Sequence, residues 1–136
     1  MSILSILAEV AASRDADELS ETVCAVNRDF STAPLLAHIL LEDWHGSHEN
    51  IVFELGLIGN PSVVDAIASA ARTKFKSLAE WDRWCRFQRE CAFALARIGT
   101  NESRAALEQM VRSEDAHLRQ VGEEGLSYWP MPYGVY

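Results

Sequence analysis

A chain of 136 residues has room for one domain and none for a second full core. With 49% apolar and 24% charged residues, its composition is globular, which excludes a disordered or fibrous chain. Its 20 Asp and Glu outnumber 12 Lys and Arg, for a net charge of -8, so the surface repels phosphate and general nucleic-acid binding is disfavoured.

Apolar periodicity predicts helices almost throughout, and no stretch alternates in the manner of a strand. A first helix is expected over residues 2–13, where Ile3, Leu4, Leu7, Val10 and Ala11 form one stripe. It does not read as a signal peptide, because a basic start is lacking and Glu9 interrupts the apolar run. A second helix is expected over residues 17–28, with Leu19, Val23, Cys24 and Val26 inward and Asp15, Asp17 and Glu18 at its dipole-favoured start. Pro34 opens a third, which buries Leu35, Leu36, Ile39 and Leu40. Gly46 breaks the chain, and a fourth helix over 47–58 stops at Gly59. Asn60-Pro61 restarts it, and Val63, Val64, Ile67, Ala68 and Ala71 carry a fifth. After a polar connection at 73–77 comes the longest helix, 78–98, ended by Gly99. Asn101 is the expected cap of a seventh, with Ala106, Leu107, Met110 and Val111 inward, and an eighth spans 115–128 before Pro130 and Pro132.

Two segments repeat each other. ELGLIGNPSVVDAI (54–67) lies over ALARIGTNESRAAL (94–107), so that Leu55, Ile58, Gly59 and Ile67 fall on Leu95, Ile98, Gly99 and Leu107. A weaker copy ends at Leu126-Ser-Tyr-Trp129, and the unequal spacing calls for an insertion at about 73–85. A single helix–Gly–helix unit cannot bury its stripe, so units must stack. The two segments resemble the HEAT repeats of the short bacterial type, similar to those of phycobilin-lyase-like proteins. The resemblance implies an all-α fold, an α-solenoid of three to four HEAT-like helix pairs with an N-terminal capping helix. Residues 1–136 would form one domain, with units at 17–43, 47–73 and 78–113 and a C-terminal cap at 115–129. It further implies a surface for another macromolecule, commonly a protein, without naming it.

In such stacks the second helix of each pair lines the concave face. That places His38, Glu42, Asp65, Ser69, Arg104 and Glu108 there, flanked by Asp43, Trp44 and His45. A second candidate surface is the stripe Trp81, Trp84 and Phe87 with Arg83, since Trp and Arg dominate binding hot spots. The competing reading packs that stripe onto a neighbouring repeat. The stripe lies in a positive block of Arg72, Lys74, Lys76, Arg83, Arg86 and Arg89, whereas residues 1–60 hold 2 basic against 10 acidic side chains. His45 and His48, with Asp43 or Glu49, are metal-ligand types, but Gly46 leaves their spacing without fixed geometry. The plainer reading is an exposed acidic loop with Ser47 capping the next helix.

Nucleophile elbows and phosphate-cradling glycine loops do not occur, so the chain is expected not to be an enzyme and to need no cofactor. Cys24, Cys85 and Cys91 are an odd count, read as small buried hydrophobes in a reducing cytoplasm. Gly56, Gly122 and Gly125 fall inside helices and are expected where helices approach closely. Tyr128, Trp129, Tyr133 and Tyr136 are expected to cover the last repeat. No membrane span is expected, since no run reaches about 18 apolar residues. The favoured function is a non-catalytic interaction protein, specifically an acidic immunity protein or antitoxin that blocks a basic toxin enzyme. The alternatives are a generic adaptor or assembly factor, and a metal-binding or catalytic protein centred on His45 and His48. Partner identity and oligomeric state stay open.

Overall fold

The computed structural model describes residues 2–131. The described residues form eight α-helices and three single 3-10 turns, with no strand. In chain order the helices are α1 (Ile3–Ser13), α2 (Ala16–Ala25), α3 (Ala33–Leu40), α4 (His48–Ile58), α5 (Val64–Ala70), α6 (Trp81–Ile98), α7 (Asn101–Val111) and α8 (Ala116–Tyr128). They stack in two layers, the packing of an α-solenoid. In one layer α2 packs on α4, α4 on α6 and α6 on α8; in the other α3 packs on α5 and α5 on α7. α1 covers one end by packing on α2 and α3, and α8 closes the other by packing on both α6 and α7.

Local chemistry sets where each helix stops. Gly59 and Gly99 end α4 and α6 with φ of 74° and 69°, left-handed values that cost glycine nothing. α2 ends at Ala25, three residues earlier than the periodicity predicts, because Asn27 and Arg28 also take left-handed φ of 52° and 63°. α6 starts at Trp81 rather than 78, since Lys76–Leu78 winds into a 3-10 turn. Thr100, not Asn101, caps α7: its Oγ1 accepts the Ser103 N–H at 3.1 Å, and Ser103 Oγ accepts the Thr100 N–H at 3.0 Å. This reciprocal pair satisfies two helix-end donors at once, which a cap one residue later would forgo.

The interior between the layers is continuous, from Leu7 and Leu19 through Leu36, Ile51, Leu55 and Ile67 to Phe87, Leu95 and Leu107, all essentially sealed from water. Missing side chains draw helices together within the first layer, at α4 against α6, and between the layers, at α8 against α7. A Cβ on Gly56 would lie 3.0 Å from the Cα of Ala94 in α6, and one on Gly122 would lie 2.8 Å from the Cβ of Met110 and 3.0 Å from the Val111 nitrogen. One expectation fails here: Cys24 is exposed, in a shallow cleft shared with Asn50 and Phe53 of α4, while Cys85 is half-buried and only Cys91 is fully interior. Burial pushes the Cys91 thiol well above its ordinary range, which keeps it inert.

Candidate functional site

The polar cluster between α3 and α4 is split: Asp43 and Gly46 are exposed and Glu42 and Trp44 half-buried, as an acidic loop would be, but both histidines are interior. His48 is fully buried and His45 nearly so. His45 stacks on His48 with centroids 4.3 Å apart, and His48 stacks on Phe75 at 3.8 Å. Trp44 meets His45 edge-on, and Phe87 meets both His48 and Phe75 edge-on. The hydrogen bonds fix each ring. His45 Nδ1 accepts the Ser47 N–H at 3.0 Å, so its Nε2–H donates to the Ile39 carbonyl at 2.8 Å. His48 Nε2–H donates to the Glu42 carbonyl at 2.8 Å, and the Ser77 hydroxyl lies 3.4 Å from its Nδ1. Both rings are therefore neutral, with the imidazole lone pairs already facing donors. Burial lowers the pKa of His45 and brings that of His48 down to about 4.

These contacts correct the sequence reading of this region. Metal ligation by His45 and His48 would require breaking the contacts at Nδ1, and among the described residues no three His, Cys, Asp or Glu gather as a metal group. Ser47 is buried and makes no side-chain cap. His45 is removed from the surface set. Its neighbours serve the same latch: the Asp43 carboxylate accepts the Lys76 N–H at 3.2 Å, tying the α3–α4 loop to the α5–α6 loop. Glu42 accepts the Trp44 Nε1–H at 3.1 Å and lies 3.9 Å from Arg14.

The aromatic stripe divides. Three-residue steps on a helix turn about 300° each, so a run of three side chains drifts off one face. Trp84 and Phe87 face the core, whereas Trp81 is 63% exposed, with only its edge towards His117. Trp84 is thus a packing residue rather than a contact. Arg83 is exposed, and Arg89 is engaged by Glu124 through Nε at 3.0 Å and Nη2 at 3.3 Å, which joins α6 to α8.

The open surface lies on the second-helix layer. His38 on α3, Asp65 and Ser69 on α5, and Arg104 and Glu108 on α7 are all exposed. Between α5 and α7 runs a groove of about 410 Å³, lined by Asp65, Ala68 and Arg72 on one side and Glu102, Ala105, Ala106 and Gln109 on the other. Of the residues expected to contact a partner, Asp65 lines it. Arg104 turns instead to the Trp129 ring, 5.0 Å from its centroid, and the Trp129 Nε1–H points at the Thr100 carbonyl and Ser103 Oγ, each at 3.2 Å. Tyr128 is exposed, and Tyr133 and Tyr136 lie outside the described residues. The groove residues other than Asp65 were missed, although their pattern is in the sequence: positions 65, 68 and 72 and positions 102, 105 and 109 share one spacing, with alanine in the middle.

A family model described as PBS lyase HEAT-like repeat matches residues 87–113, from within α6 through the Gly99 turn to the end of α7. That segment is a HEAT-like repeat unit. No curated protein and no solved structure matches it. The matched HEAT-like unit supplies one wall of the groove, α7, and the segment at 54–67 builds the opposing wall, α5, from the same kind of turn. No helix of the described residues is long and apolar enough to cross a membrane.

Proposed function

We propose that this HEAT-like protein is a non-catalytic interaction module that acts as an acidic immunity protein or antitoxin, holding and blocking a toxin enzyme. The observation that carries the reading is the pairing of an open second-helix groove with a net charge of -8. HEAT-like stacks commonly serve protein interaction, and their binding surface is the part of the fold free to vary. An acidic surface speeds association with a basic enzyme and selects it over acidic competitors. Against a nuclease it would also stand in for substrate phosphate.

The test is co-expression with the product of the neighbouring gene. A tight one-to-one complex, with rescue of growth that the neighbour alone suppresses, supports the reading. A neighbour that neither binds nor harms cells overturns the immunity role. Salt adds a second readout: a charge-steered association slows steeply as ionic strength rises, and a salt-independent on-rate refutes the acidic footprint.

A further inference from the structure

The α5–α7 groove is charged at its ends and apolar along its floor. Its polarity follows from one buried side chain. Gln88 of α6 donates to the Ala71 carbonyl at the end of α5 (3.1 Å) and to the Asp115 carboxylate just beyond α7 (3.5 Å). The two C-terminal ends therefore meet at the same place, and α5 and α7 run in the same direction. Asp65 and Glu102 then share one end of the groove, Arg72 and Gln109 share the other, and Ala68, Ala105 and Ala106 lie between. Arg72 Nη1 donates to the Ala68 carbonyl at 3.1 Å, which positions the guanidinium beside the floor. Past Arg72 the chain continues through the exposed Lys74 and Lys76, so the basic end leads into further positive charge.

Dimensions select the form of the occupant. Seven residues of helix separate the charged ends by about 10 Å. A chain extended in the polyproline II conformation covers about 9 Å in three residues and returns side chains i and i+3 to one face.

We propose that this groove binds an extended segment of a partner protein, with a Lys or Arg seated between Asp65 and Glu102 and an Asp or Glu three residues away at Arg72. The proposal rests on the interaction reading above and specifies its partner. The alanines leave room for small or apolar side chains between the two charges. Acidic residues just outside the segment meet Lys74 and Lys76.

The probes are the capped peptides Lys-Ala-Ala-Asp and Asp-Ala-Ala-Lys, which cover both chain directions, with Lys-Asp-Ala-Ala as the misspaced control. They are titrated at millimolar concentration into the 15N-labelled full chain. Amide shifts should move on α5 and α7 with one of the two spaced peptides. The control should bind about fivefold more weakly, the worth of one exposed ion pair. Ala105→Leu, at an exposed position that leaves the core intact, should abolish the shifts. The pair Asp65→Lys and Glu102→Lys should transfer preference to Asp-Ala-Ala-Asp. Shifts absent from α5 and α7 with both spaced peptides, or unchanged in the Ala105→Leu variant, overturn the proposal. A neighbouring-gene complex indifferent to Ala105→Leu also overturns it while the interaction reading stands. Peptide binding in the groove beside a neighbour that neither binds nor harms cells sinks the immunity role alone.

Discussion

Acidification should unfasten this protein through His48. The ring is fully buried, which holds it neutral; its Nε2–H donates to the Glu42 carbonyl, and it stacks between His45 and Phe75. Burial lowers its pKa from 6.5 to about 4. A group whose folded pKa is depressed contributes stability above its unfolded pKa and loses it as pH falls towards the folded one. The window is therefore pH 6.5 down to about 4. The full shift is worth about 3 kcal/mol, and about 2 kcal/mol of that is lost between pH 7 and pH 5. His45, shifted in the same direction, adds to the loss. Urea denaturation followed by circular dichroism at pH 7, 6 and 5 measures it, with His48→Gln as the comparison because glutamine can still donate to the Glu42 carbonyl. The variant starts less stable but should show a shallower loss with pH. Imidazole 15N shifts should report the Nε2–H tautomer and a titration far below the ordinary histidine value. A His48 that titrates near pH 6.5, or a variant with the same pH slope as the parent, would refute the reasoning.

Three further outcomes follow from packing. Gly122→Ala should cost about 1–3 kcal/mol by overpacking, less the alanine gain in helix propensity of up to about 1 kcal/mol, because the new Cβ meets the Met110 Cβ and the Val111 nitrogen rather than a flexible side-chain tip; a raised melting temperature would contradict this. Thr100→Ala should cost about 1 kcal/mol by removing the α7 cap, read from the urea midpoint, and an unchanged midpoint would show that the Ser103 bonds do not stabilise α7. Burial raises the pKa of Glu54, whose Oε2 is buried without a hydrogen-bond partner, so its ionised form opposes folding at neutral pH. Glu54→Gln should therefore raise the urea midpoint at pH 7, and the gain should shrink at pH 4; a lower midpoint at pH 7 would show that attraction to Arg28 outweighs burial.

What could be read from the chain followed the range of the forces involved. The Gly59 and Gly99 turns were legible because a left-handed helix stop is decided within a few residues. The repeat between 54–67 and 94–107 was legible because each unit must present the same apolar stripe. The interior position of His45 and His48 was not. It depends on Phe75 and Phe87, far along the chain, which turn a polar-looking loop into the wall of an aromatic column. Trp81 and Trp84 were grouped by spacing, yet the start of α6 at Trp81 leaves one outside and takes the other in. The groove was hidden for another reason: the spacing shared by 65, 68, 72 and 102, 105, 109 is in the sequence, but that the two sets face each other is decided only by the packing of helices far apart in the chain.

The two fastenings between non-adjacent elements bear on how this stack comes apart. Asp43 and His48 hold the α3–α4 loop to the start of the turn before α6, and Gln88 ties α5 to the start of α8 through its bond with His117 at 2.8 Å. In a linear array, where each unit otherwise touches only its neighbours, such cross-links raise the coupling between units relative to their individual stabilities. The middle of the stack then melts as one cooperative block, while α1, held mainly by α2, is free to open first. Amide exchange should accordingly be slow and nearly uniform from α4 to α7 and graded towards the N-terminal edge, a profile of a short rod clamped at its centre rather than a string of beads.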